Sequence, residues 1–104
     1  DMTKSINIRA YEKDGIVTVK SIIRHPMESG FRRNQKTGNK YPPNFIQEVI
    51  VQSANKTVME AFWSGAISRN PYFSFRFKGR AGDNLTLSWI DNKGRSESET
   101  IRIL

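Results

Sequence analysis

Apolar and polar residues alternate along most of this chain with the period of two that marks half-buried strands. From Ser5 to Ala10, Ile6, Ile8 and Ala10 fall on one face, and Asn7 and Arg9 on the other. Lys13-Asp14-Gly15 turns the chain. Ile16 to Arg24 follows as a long β-branched run with Val17 and Val19 in phase. The phase slips at Ile22-Ile23, which predicts a bulge or a strand buried on both faces. His25-Pro26 ends the run, since proline cannot donate to a ladder. A polar loop from Glu28 to Asn44 comes next, carrying Gly30, Gly38 and Pro42-Pro43. Loops of this length are either functional or flexible: a binding loop orders on a partner, a spacer does not.

Phe45 to Gln52 resumes a strand, and Ser53-Ala54-Asn55-Lys56 turns it into a hairpin mate from Thr57 to Phe62. Trp63 to Pro71 reads as short and irregular, with room for one helical turn. Tyr72 to Lys78 has the cleanest alternation in the chain. Phe73, Phe75 and Phe77 point one way, and Tyr72, Ser74, Arg76 and Lys78 the other. After a turn at residues 80–84, Leu85, Leu87 and Trp89 form the apolar face of the next strand. Asp91-Asn92-Lys93-Gly94 is a tight-turn signal, and Glu97 to Leu104 closes the chain with Ile101 and Ile103 inward. Short strands at even spacing, without a long helix, predict an all-β fold. The pattern is that of an immunoglobulin-like antiparallel β-sandwich of about seven strands. At 104 residues, positions 1–104 form one domain.

Composition narrows the function. Hydrophobic content of 37% with 26% charged residues places the chain among neither disordered nor membrane proteins. No apolar run approaches the roughly 18 residues of a membrane span. Residues 1–5 lead straight into the first strand without an apolar signal core. Met2 reads as an initiator methionine, which predicts a protein made without its own export signal. The absence of cysteine excludes disulfides, thiolate metal sites and covalent thiol chemistry on this chain. The net charge of +7 favours anionic partners. Most of it is local: residues 20–40 hold six Lys or Arg against Glu28 alone, and residues 69–80 hold four against no acid.

The loop at His25-Pro26-Met27-Glu28-Ser29-Gly30-Phe31-Arg32-Arg33 concentrates the unusual chemistry. His25 is the only histidine, and no base, nucleophile and orienting group fall into a triad around it. No catalytic residue is assigned, and the favoured role for His25 is a hydrogen bond to the backbone that fixes the loop. His25, Met27 and Glu28 mix soft and hard ligands without a metal-site spacing, so neither metal nor cofactor is expected. Nucleic acid is the runner-up for so basic a domain. Yet Phe73, Phe75 and Phe77 lie opposite Arg76 and Lys78, the pattern of core against solvent rather than a stacking platform. A binding surface fits better. Phe31, Met27 and the Arg32-Arg33 pair are the residue types enriched at interface cores.

Three ordered motifs resemble one family, SoxZ. They are His25-Pro26-Met27-Glu28-x-Gly30-x-Arg32-Arg33, Asn70-Pro71-Tyr72-x-Ser74-Phe75 and Trp89-x-Asp91-x-x-Gly94. The resemblance covers nearly the whole chain; the segment 34–40 is the part without a match. It implies an immunoglobulin-like, cysteine-free subunit of the SoxYZ sulfur carrier in bacterial thiosulfate oxidation, with no chemistry of its own. The SoxY partner would present a cysteine on a flexible arm, on which sulfur intermediates ride. This chain would bind SoxY as a heterodimer, help dock the pathway enzymes transiently, and reach the periplasm by export with its partner. Carried over, His25, Met27, Glu28, Gly30, Arg32 and Arg33, with Tyr72 and Phe75, are the expected partner-binding residues. A small basic nucleic-acid-binding β-domain, or a metal protein using His25 and Met27, are the alternatives that the residues alone leave open.

Overall fold

Seven strands form where the alternation predicts them: β1 (Ile6–Lys13), β2 (Ile16–Ile23), β3 (Ile46–Ser53), β4 (Lys56–Phe62), β5 (Tyr72–Lys78), β6 (Asn84–Asp91) and β7 (Ser96–Arg102). The computed structural model describes residues 4–104; Met2, read above as an initiator, lies outside the described residues. The strands build two antiparallel sheets, β1-β2-β5 and β4-β3-β6-β7, packed as an immunoglobulin-like sandwich. Among the described residues there is no helix, and so none long and apolar enough to cross a membrane. The helical turn allowed for between Trp63 and Pro71 is absent. That stretch holds a single hydrogen-bonded turn at Gly65 and Ala66, in which Ile67 N–H reaches Ser64 O at 3.2 Å.

The core follows from the period of two. Val17, Val19 and Ile23 of β2 meet Val49 and Val51 of β3 and Leu85 and Leu87 of β6, all without solvent exposure. Each such side chain contributes about 1.5–3 kcal/mol by leaving water. Phe73, Phe75 and Phe77 face inward as predicted, but only half-buried. β2 differs from the reading in an instructive way. Its buried positions run Val17, Val19, Ser21, Ile23 without interruption, and its pairing with β1 is regular. The apparent slip at Ile22-Ile23 arises because a serine faces the core and Ile22 faces out. The register shifts that do occur lie in β3, at Val51/Gln52 against β4 and at Ile46/Glu48 against β6.

Two edges meet different fates. β1 lies beside β7, and the chain end seals its edge: Leu104 N–H donates to Ala10 O, and Glu12 N–H to Leu104 O. On the other side the sheets end in β5 and β4, with no strand beyond either among the described residues. The Ala54-Asn55 turn joins β3 to β4 with both residues at positive φ, 51° and 63°, the geometry that a two-residue hairpin requires.

The loop from Glu28 to Asn44 is a braced arm. Glu28 and Asn44 exchange both backbone hydrogen bonds at its base, at 2.7 and 2.8 Å. Tyr41 N–H reaches Arg32 O, and Asn34 N–H reaches Asn39 O near the tip. With it the molecule extends 55 × 26 × 19 Å, whereas an eight-residue strand spans only about 27 Å.

Candidate functional site

The three motifs meet in space. His25 leaves the end of β2 with both of its main-chain groups held by Asn70: its N–H donates to Asn70 Oδ1, and Asn70 N–H donates to its carbonyl, each at 3.0 Å. Asn70 adopts φ 52°, a left-handed conformation that asparagine tolerates better than most residues. The imidazole turns inward and is 1% exposed. Its Nδ1 accepts the Met27 N–H at 3.0 Å, which puts the ring proton on Nε2, and Nε2 donates to Asp91 Oδ2 at 3.1 Å. Trp89 meets the ring edge-on, with centroids 5.3 Å apart.

Asp91 is the hub. Its Oδ1 accepts the N–H groups of Lys93 and Arg95, and its Oδ2 also accepts Arg95 Nε–H at 3.2 Å. Burial by itself would raise the Asp91 carboxyl. The hydrogen bonds from His25, from the Arg95 backbone and side chain and from Lys93 outweigh it and hold the group below the ordinary carboxylate value. The next residue, Asn92, clamps the far end of the arm. Its Oδ1 accepts Phe45 N–H at 2.7 Å, and its Nδ2–H donates to Pro43 O at 3.0 Å. The β6–β7 turn thus holds where the arm begins, through His25, and where it ends, through Pro43 and Phe45.

Met27 is pulled under the arm. It is 5% exposed, adopts φ 49°, and its sulfur accepts the Ile46 N–H at 3.3 Å. With both imidazole nitrogens and the Met27 sulfur already engaged and shielded, His25 and Met27 do not present a ligand pair. Among the described residues no group of three or more His, Cys, Asp or Glu is gathered for an ion.

The arm is stiffened from within. Glu28 takes Arg32 Nε–H at 3.1 Å and Nη2–H on the same oxygen. The Arg32 bond, helped by the N–H groups of Gly30 and Ser29, draws the Glu28 carboxyl below its usual value. The Arg32 guanidinium also covers the Tyr41 ring, 4.5 Å from its centroid. Arg33 Nη1–H donates to Gly38 O at 2.8 Å, closing the tip. Gly30 sits at φ 90° against Pro43, where a Cβ would come within 3.0 Å. Gly65 permits the closest approach: a Cβ there would lie 2.6 Å from Ser29 Cα.

The expected partner-binding residues therefore divide into three groups. His25 and Met27 are internal and shape the arm. Glu28, Gly30, Arg32 and Arg33 form it, with Phe31 standing out beside them at 81% exposure. Tyr72 and Phe75 lie apart, on β5, with Tyr72 outward and Phe75 inward. Asn70 and Asp91 belong to the second and third motifs but not to the expected partner-binding residues, and Asn92 and Gly65 belong to neither. Polar turn residues at Asn70-Pro71 and Asp91-Asn92 were the available signal.

Fold and site together define a β-sandwich that spends its buried polar groups on bracing one basic, aromatic-tipped arm. The sequence model of the family described as Sulphur oxidation protein SoxZ matches residues 6–102. The chain belongs to the SoxZ family, and with it to the sulfur-oxidation Sox system. A comparison with curated proteins gives no match.

Proposed function

We infer that this chain is the non-catalytic half of a sulfur carrier. It binds a SoxY-type subunit, whose cysteine carries the sulfur intermediates, and helps that complex dock on the Sox enzymes in the periplasm, where it arrives with its partner. The braced arm carries this reading. Three motifs scattered over the chain converge to hold it, while Phe31 and Arg32 remain largely at the surface. A loop fixed in advance loses little entropy on binding, which is what a docking surface requires. The basic surface supports contact with acidic enzyme faces or with sulfonate groups. A chain without cysteine leaves covalent sulfur attachment to the partner.

Co-expression with the SoxY-type protein of the same genome, followed by size exclusion, tests the reading. A heterodimer stable to dilution and moderate salt is expected. Separate elution of the two chains would contradict it, and retention of this chain on DNA at moderate salt would then favour the nucleic-acid alternative.

A further inference from the structure

Among the described residues β5 is an edge strand, and its outward hydrogen-bonding groups have no partner. Ile23 N–H donates to Pro71 O at one end of the β2–β5 ladder, and Gly79 N–H donates to Gly15 O at the other, each at 3.1 Å. Between them the register pairs Ser21 with Phe73, Val19 with Phe75 and Val17 with Phe77. Bonded pairs alternate along an antiparallel ladder. The three phenylalanines therefore bond to β2, while the N–H and C=O groups of Tyr72, Ser74, Arg76 and Lys78 point outward from the sheet. The sheet ends there.

Side chains at this edge are also incompletely covered. Phe73, Phe75 and Phe77 stack in a row, with ring centroids 6.4 and 6.1 Å apart, on the inner face of the strand. All three are only partly buried, Phe73 with the Trp63 ring edge-on against it at 5.5 Å between centroids, because a sheet of three strands faces one of four. Met59 and Ala61, which pair with inward-facing Val51 and Val49, form the opposite lip and are likewise only partly buried. A fourth strand beside β5 would satisfy the edge and cover the row at once.

Charge selects the occupant. Residues 69–80 carry four basic side chains and no acid, and Arg76 and Lys78 lie exposed on the outer face of β5. A second copy would set this segment against itself, with a net charge of +7 on each chain. We propose that the β5 edge receives an extended segment of the carrier subunit. Its inward positions are apolar and meet the phenylalanine row, and its outward positions carry carboxylates that meet Arg76 and Lys78. This rests on the carrier reading above and divides its labour. The apolar edge takes the permanent partner, and the polar arm is left for transient docking, in keeping with the more hydrophobic character of lasting interfaces.

Ser74→Pro is the direct test. It removes an outward N–H that bonds nothing among the described residues and places a ring where the added strand would lie, a substitution that edge strands accept. Affinity for the co-expressed SoxY-type protein should fall at least tenfold, with the unfolding midpoint of the free chain near that of the wild type. Should this variant fail to fold, the double variant Arg76→Glu, Lys78→Glu decides, since both side chains are exposed and it should weaken the heterodimer by a similar factor. Wild-type affinity in the folded Ser74→Pro chain, or in the charge-reversed one, overturns the assignment of the edge while leaving the carrier reading intact. Failure of the wild-type chain to form any complex overturns the carrier reading, and this inference with it.

Discussion

His25 Nε2 and Asp91 Oδ2 lie 3.1 Å apart across 66 positions of sequence, with 1% and 0% of their side chains exposed. This bond fastens the entrance of the arm to the β6–β7 turn. That turn, Asn70, the close approach of Gly65 to Ser29 and the bond from Ile46 N–H to the Met27 sulfur together fix the arm from below.

Asp91→Asn tests how much the fastening contributes. The amide keeps the shape but offers one oxygen to donors that the carboxylate serves with two. A buried charged acceptor with several donors gives an expected loss on the order of 3 kcal/mol at pH 7, read by urea unfolding. The pH dependence has a definite sign. Because the Asp91 carboxyl sits below its ordinary value in the folded state, its contribution is complete above about pH 4 and disappears as pH falls through the folded value. The stability gap between wild type and variant should accordingly shrink as pH falls below about 4.

Gly65→Ala should loosen the arm. A methyl group 2.6 Å from Ser29 Cα meets backbone, so the chain must shift rather than a side chain rotate. The expected cost is about 1–3 kcal/mol. Amide shifts in an NMR spectrum should concentrate at residues 28–32 and 63–67, with the β6–β7 pairing untouched. Shifts spread evenly over both sheets would show that the contact is not local.

Ser21→Ala should be neutral or stabilising by up to about 1 kcal/mol. Ser21 is 1% exposed in the core, and its hydroxyl has no hydrogen-bond partner among the described residues. Thermal unfolding of the variant is the check, and a clear drop in midpoint would mean that the hydroxyl has a partner.

Replacing Arg32 and Arg33 together with Ala should weaken docking of the carrier complex to a Sox enzyme and flatten its salt dependence, as the loss of two exposed cations requires. Part of the effect will come from the arm itself, since Arg32 binds Glu28 and covers Tyr41 and Arg33 binds Gly38. Arg32→Lys keeps the charge but loses the two-pronged bond to Glu28, so it separates the two contributions. Unchanged affinity and salt slope in the double variant would remove the arm from the docking surface.

Most of the sandwich was legible because a half-buried strand writes its two faces into alternate positions. β5 is the clearest case: Phe73, Phe75 and Phe77 turn inward as the pattern says. β2 misled at Ser21 and Ile22 because alternation was judged by residue type, and two residues there carry the type of the other face. β1 runs to Lys13 rather than stopping at Ala10, since pairing with Ile16, Val17 and Thr18 carries the strand past its apolar residues. The bond from His25 to the loop backbone was foreseeable from its place before Pro26, and Met27 N–H supplies it. The partner on its other nitrogen was not. Asp91 stands 66 positions away, inside what reads as an ordinary turn, and no local pattern joins the two. The arm was hidden for a similar reason: its bracing comes from Asn92, Asn70 and Gly65, residues that look alike whether they end a strand or hold a distant loop.

Amide hydrogen exchange on the chain alone and in the presence of an excess of its SoxY-type partner would test the account most directly, because it reports both whether binding occurs and where. The amides of Tyr72, Ser74, Arg76 and Lys78 should exchange fast in the free chain and slow markedly in the complex. Those of Phe73, Phe75 and Phe77, already bonded to β2, should be protected in both. No change at any amide on adding the partner would contradict the carrier reading, and protection confined to other segments would place the partner elsewhere than on β5.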